Sequence, residues 1–179
     1  MAIDPITTDV WELRDEVRQP GGVRLPVRMT VLRLPGSRLV LHSPVPIDDA
    51  AAAELAGLGE VAHILAPSRL HHLWLAPAAA RYPAAAVWDA RTGEPVPAVL
   101  RDHLDHVTIA GAPKVDETVF LHRASRSFLC ADFLFHITRP ANWRTRMVLG
   151  LMGTSGGRLA ASRAWKHFTK DRAAAAASR

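Results

Sequence analysis

The sequence predicts a mixed α/β protein built as a four-layer αββα sandwich, with two sheets packed face to face and helices outside them. Three observations carry this. A β-hairpin pattern occurs in each half of the chain, short apolar runs alternate with helical segments, and the last third turns helical. A three-layer α/β fold is the competing arrangement, and the two antiparallel hairpins weigh against it.

The elements follow in order. Asp9–Asp15 alternates through Val10, Trp11 and Leu13 as a first strand. In Val27–Leu34, one face carries Val27, Met29, Val31 and Arg33, the other Arg28, Thr30 and Leu32. Pro35-Gly36-Ser37 turns the chain, and Arg38–His42 returns as the partner strand. Asp48-Asp49 precedes an alanine-rich segment that ends near Gly57 or Gly59, the charge arrangement of a helix N-terminus. Val61–Ala66 is the next strand. Ser68 is a candidate cap for a helix from about Leu70 to Tyr82, stopped by Pro83, and Ala84–Asp89 is a further short strand.

In the second half Val107–Ile109, Thr118–His122 and Ser127–Ala131 read as strands, with His103 and His106 in a loop before them. Trp143–Met152 and Ala160–Ala177 read as helices separated by the glycine-rich break at Gly153–Gly157.

One domain over residues 1–179 is expected, because a chain of this length fills a single core. The lone Cys130 excludes an internal disulfide and any cysteine-rich zinc module, so a reducing, cytoplasmic setting is expected. Arg69, Arg81 and Arg91 interrupt the longest apolar stretches, and the N-terminus has no secretory pattern; no membrane partner is expected. The formal charge of +5 is uneven: nine Lys or Arg face one acid from Arg139 onward, while thirteen face sixteen acids before it. A solvated helix face accounts for that basic third, and without an aromatic-interleaved basic strand or a recognition helix no nucleic-acid partner is expected.

The chemistry-bearing residues gather around VAHILAPSRLHH, residues 61–72. His71, His72 and Asp132 each follow a predicted strand, where loops build sites in layered folds. Two imidazoles and a carboxylate suit one zinc, iron or manganese ion, which would lower the pKa of bound water. Adjacent histidines diverge by about 100° on a helix, so they converge only if the turn at Pro67-Ser68 redirects them. The alternative is that both pack locally and no metal binds. His122 is a candidate ligand or ligand-orienting partner on a strand paired with that of Asp132, against the reading of an edge histidine. His136 is a candidate extra ligand four residues after Asp132. Arg69 is a candidate anion-binding group, and Cys130 reads as a buried free thiol. Ser125 and Ser127 lack the strand-to-helix elbow of a serine hydrolase.

CADFLF at residues 130–135, together with the histidine-bearing turn, resembles the metallo-β-lactamase superfamily. The blocks LVLHSPVPID (39–48), APSRLHHLWL (66–75) and FLHRASRSFLCADFLF (120–135) resemble an uncharacterised family within it, a domain of unknown function, over roughly residues 8–175. The resemblance implies the αββα fold and a His-x-His-x-Asp-His motif falling on Pro67 to His72. Pro67 and Arg69 then stand in place of two histidines, His71 in place of the aspartate, and His72 keeps its ligand type. The third ligand of the first metal falls near Ile109–Pro113, where there is no histidine. Asp132 falls on the metal-bridging aspartate, with Ala131 where glycine is usual. A closing strand ending in His-Gly is expected and not found before Arg179, so the fold is expected to be incomplete at its C-terminus.

Two functions follow as expectations. One is a hydrolase of unknown small-molecule substrate with a single metal on His71, His72 and Asp132. The other is a non-catalytic, metal-free protein that binds an anionic small molecule near Arg69.

Overall fold

The computed structural model describes residues 2–178. Six strands form the larger sheet in chain order: β1 (Ile3–Thr7), β2 (Val10–Gln19), β3 (Val23–Leu34), β4 (Arg38–His42), β5 (Glu60–Ala66) and β6 (Ala86–Asp89). The pairings from β1 to β4 are antiparallel; β4–β5 and β5–β6 are parallel. The switch has a simple cause. Pro35–Ser37 joins β3 to β4 tightly, whereas α1 (Asp49–Leu58) and α2 (Leu75–Arg81) each provide the long crossover that a parallel pair needs. After the one-turn α3 (Ala98–Arg101), three further strands, β7 (Leu104–Thr108), β8 (Thr118–His122) and β9 (Ser127–Leu129), form an antiparallel second sheet.

The side-chain alternation seen in the sequence sorts the core into layers. Met29 and Val31 of β3 and Leu39 and Leu41 of β4 pack with Ala51 and Leu55 of α1 and Leu75 and Ala78 of α2. The opposite faces, through Leu32, Leu34 and Val40, pack with Leu104, Phe120 and Leu129 of the second sheet. Phe120 is the pivot of that inter-sheet layer, edge-on to both His42 and Trp88. The outer face of the second sheet, through Val119, meets Trp165 of α5 (Arg163–Phe168) and Ala175 of α6 (Arg172–Ala177). The order is helix, sheet, sheet, helix, as predicted. α4 (Trp143–Met152) lies beside β3, where Thr145 accepts a hydrogen bond from Arg24 N–H at 2.9 Å.

Several elements depart from the sequence prediction for identifiable reasons. β1 carries Pro5 and little apolar alternation, and it forms because it is an edge strand that proline tolerates. The helix predicted from Leu70 begins only at Leu75, because residues 71–74 form a turn in which the His72 ring nitrogen bonds to Arg69 O. His106 lies within β7 rather than in a loop, paired with Phe120. The single helix predicted over Ala160–Ala177 is two short ones. The break occurs where the N–H groups of Lys170 and Asp171 bond to Gly111 O at 2.7 and 3.2 Å. Asp171 then caps α6 through Ala174 N–H. Gly111 permits this approach: it has φ +80°, and a Cβ there would lie 2.0 Å from Asp171 O.

Candidate functional site

The parallel strands set the position of the site. β4 and β5 end side by side, so Ser43 follows one and Pro67-Ser68 the other at the same edge of the sheet. Open α/β sheets place ligands at such carboxyl ends, where loops are free to diverge. Ser43 N–H donates to Leu65 O at 2.8 Å, which extends the ladder by one residue. The chain then turns sharply, because Ser43 has φ +59°. The loop after β5 is stitched to the entry of β8: Arg69 N–H donates to Val115 O and Thr118 N–H to Pro67 O, each at 2.8 Å. This stitching brings residues 68–71 against Asp132, which follows β9.

A continuous polar chain results. Ser43 Oγ lies 2.5 Å from His71 Nδ1, and His71 Nε2 lies 3.4 Å from Asp132 Oδ1. Ser68 donates from Oγ to Asp132 Oδ2 at 2.6 Å. Beneath them the fully buried Glu117 accepts the N–H groups of Ala131 and Asp132 at 2.7 and 3.0 Å and so fixes the backbone that carries Asp132. Only the outer part of the chain meets solvent: the side chains of His71 and Asp132 are 20% and 16% exposed, while Ser43 is 4% exposed.

The electrostatics follow from this burial. Burial lifts the Glu117 carboxyl to about 7, against the backbone N–H of Ala131, with the Asp132 charge adding to the rise. Burial alone would pull the His71 imidazole down; the Asp132 hydrogen bond, with the charges of Asp132 and Glu117, outweighs it and leaves His71 above its ordinary value. His42, buried beside it, is held at about 3 by desolvation and then by the charges of His71 and Arg28. Its Nε2 is buried with no hydrogen-bond partner among the described residues.

The structure brings only part of the predicted set together. His71 and Asp132 meet. His72 does not join them: its Nδ1 is tied to Arg69 O at 2.8 Å, and its charge acts on Asp89 at the end of β6. His122 lies at the far end of β8 from Glu117, where its Nδ1 bonds to Ser125 Oγ at 2.7 Å, too distant to orient a ligand on Asp132. The shared helical face proposed for His136 does not form, because residues 132–136 are not helical; its Nε2 faces Gly157 O at 2.9 Å instead. Arg69 is about half exposed and faces Asp116 at 3.8 Å. Cys130 is half buried, and burial pushes its thiol up to about 11, which suits an inert group. Ser43, Ser68, Glu117 and His42 were not singled out from the sequence. His42 ends a predicted strand, Ser43 follows it and Glu117 precedes another, signals too common to distinguish them, and Ser68 was read only as a helix cap, although His42 and Ser43 lie within the block at residues 39–48.

A zinc, iron or manganese ion of the kind implied by the superfamily needs at least three converging ligands. Among the described residues, no group of three or more His, Cys, Asp or Glu side chains is placed to hold one. Both nitrogens of His71 face protein partners and His72 is turned away, so the residues present do not fit a three-ligand centre.

The fold is that of the metallo-β-lactamases. The structure superposes on TMB-1 with a TM-score of 0.57 at 12% identity, over 94% of this chain and 94% of that one. It is also similar to a metallo-β-lactamase from Hirschia baltica, with a TM-score of 0.49 at 12% identity over 69% and 67% of the two chains. A third similar structure is FIM-1 from Pseudomonas aeruginosa in its mono-zinc form, at 0.42 and 14% identity over 66% and 63%. Within that fold, the chain belongs to the family described as a domain of unknown function (DUF4336), whose sequence model matches residues 8–100, more than half of the chain. No curated protein matches the sequence.

Proposed function

We propose that this chain is a single-domain, metal-independent member of the fold that takes a small anionic molecule at the edge formed by Arg69, His71 and Asp132. The carrying observation is the direct contact among His71, Ser43 and Asp132. In this reading an imidazole and its hydrogen bonds occupy the position where a metal would otherwise organise the carboxylate. Arg69 supports the anionic preference, since its half-exposed guanidinium, which among the described residues pairs with Asp116 at 3.8 Å, is able to form a bidentate pair with carboxylate or phosphate.

A single-metal hydrolase on His71, His72 and Asp132 is the second reading. It is favoured by the 3.4 Å approach of His71 Nε2 to Asp132 Oδ1 and requires His72 to leave Arg69 O and join them.

Metal analysis of protein purified without chelator, paired with calorimetric titration of succinate and inorganic phosphate, separates the two. Metal-free protein whose anion binding is lost in Arg69→Ala is the expected result. A stoichiometric metal that disappears in both His72→Ala and Asp132→Ala would overturn the proposal in favour of the hydrolase. We place the protein in the cytoplasm on its lone, half-buried cysteine; recovery of the tagged chain outside the cytoplasmic fraction would refute this. Among the described residues no helix is long and apolar enough to cross a membrane.

A further inference from the structure

We infer that Ser43 is a nucleophile for acyl transfer, with His71 as its general base and Asp132 as the positioning residue, and that the substrate is an ester or thioester with an apolar acyl part and an anionic leaving part. This rests on the metal-independent reading above.

A serine at φ +59° occupies a left-handed region that is strained for a residue other than glycine. A side chain is kept there, and its hydroxyl points to one ring nitrogen at 2.5 Å. The rest of the chain determines which proton goes where. The neutral tautomer with its N–H on Nε2, toward the Asp132 carboxylate, presents the Nδ1 lone pair to Ser43 and accepts its O–H. Asp132 in turn is held by Ser68 and, through its backbone, by Glu117. The parts of an activated serine are therefore present in order: nucleophile, base and the group that orients the base. They come from three separate segments at one end of the sheet.

The surroundings give the substrate class. Leu70 and Leu73, on either side of the two histidines, are 47% and 57% exposed and give this turn an apolar character. Arg69 on the same turn provides the cation for the leaving part. In the first step Ser43 Oγ bonds to the acyl carbon, the proton passes to His71 Nδ1, and the carbon–oxygen or carbon–sulfur bond to the leaving part breaks. His71 returns the proton to that leaving alcohol or thiol. Water then adds to the acyl carbon with its proton taken by His71, and cleavage of the Ser43 ester gives the free acid and restores the serine.

The test uses the full chain in EDTA with p-nitrophenyl butyrate, read as a p-nitrophenolate burst and as a butyryl adduct located by peptide mass spectrometry. A fluorophosphonate probe gives an independent label. The adduct and label are expected on Ser43. Both are expected to vanish in Ser43→Gly, which relieves the backbone and so keeps the fold, as circular dichroism would verify. His71→Ala is expected to slow acylation by roughly 10²- to 10⁴-fold. Asp132→Asn is expected to lower kcat with KM unchanged, a split that a merely structural role would not produce. Folded wild-type protein that takes neither reagent, or takes them on His71 or Cys130, overturns the inference while leaving metal-free anion binding intact. Turnover without an adduct that stops in EDTA and returns with zinc overturns both.

Discussion

Replacing Glu117 by glutamine tests whether the polar chain is as deeply buried as its geometry implies. Glu117 is 0% exposed and is lifted to about 7, mainly by burial, from an ordinary value near 4.5. Between those two values the folded protein binds a proton that the unfolded chain has released, so folding stability falls as pH rises through this window. From pH 5 to pH 8 that loss amounts to about 2.5 kcal/mol in the wild type. Glutamine keeps the shape, titrates nowhere, and gives up one of the two acceptors that serve Ala131 and Asp132. That lost hydrogen bond costs about 1–3 kcal/mol and does so at every pH. Urea unfolding should therefore show Glu117→Gln clearly less stable than wild type at pH 5 and close to it at pH 8. Titrating groups away from the site are common to both proteins and cancel in the comparison; His71 and Asp132, which face Glu117, lose its charge in the variant. A destabilisation that is the same at both pH values would refute the reasoning, because it would mean that Glu117 ionises as freely in the fold as in the unfolded chain.

His42, held at about 3 by burial, stays neutral in the fold while the unfolded chain takes up a proton below about 6.5, so stability is lost as pH falls through that window. His42→Leu should be near neutral at pH 7 and about 3 kcal/mol more stable than wild type at pH 4 in urea melts; parallel curves would contradict the burial. Phe120→Ala removes the ring between the two sheets and should cost about 3–5 kcal/mol, read as a lowered urea midpoint. Gly111→Ala places a Cβ against Asp171 O and should release α6, seen as fast proteolysis within residues 172–178 while the core amides stay protected in hydrogen exchange. Unchanged cleavage would show that the close approach is dispensable.

The layered α/β architecture was legible because it rests on local periodicity. Two-residue alternation in β3 and β4 survives as the division between the helix-facing and sheet-facing cores, and the carboxylates ahead of α1 survive as its cap at Asp48. β1 was missed because its pairing, rather than its own pattern, makes it a strand, and the late start of α2 reflects a side chain that bonds to backbone in place of helix. The candidate site divides in the same way. A histidine-bearing turn after a strand and a carboxylate after another strand are visible in sequence, and His71 and Asp132 do meet.

Sequence alone thus determined most of the strands and helices, their faces and the end of the sheet where the loops gather, because each depends on residues a few positions apart. Only the tertiary structure decided that His71 turns to Ser43 and Asp132 while His72 turns away. That choice depends on parallel pairing of β4 with β5 and on the stitching of residues 67–69 to residues 115–118. Contacts between segments so far apart in the chain leave no periodic trace in the sequence, and they separate a metal-ligand motif from a serine, a histidine and an aspartate in line.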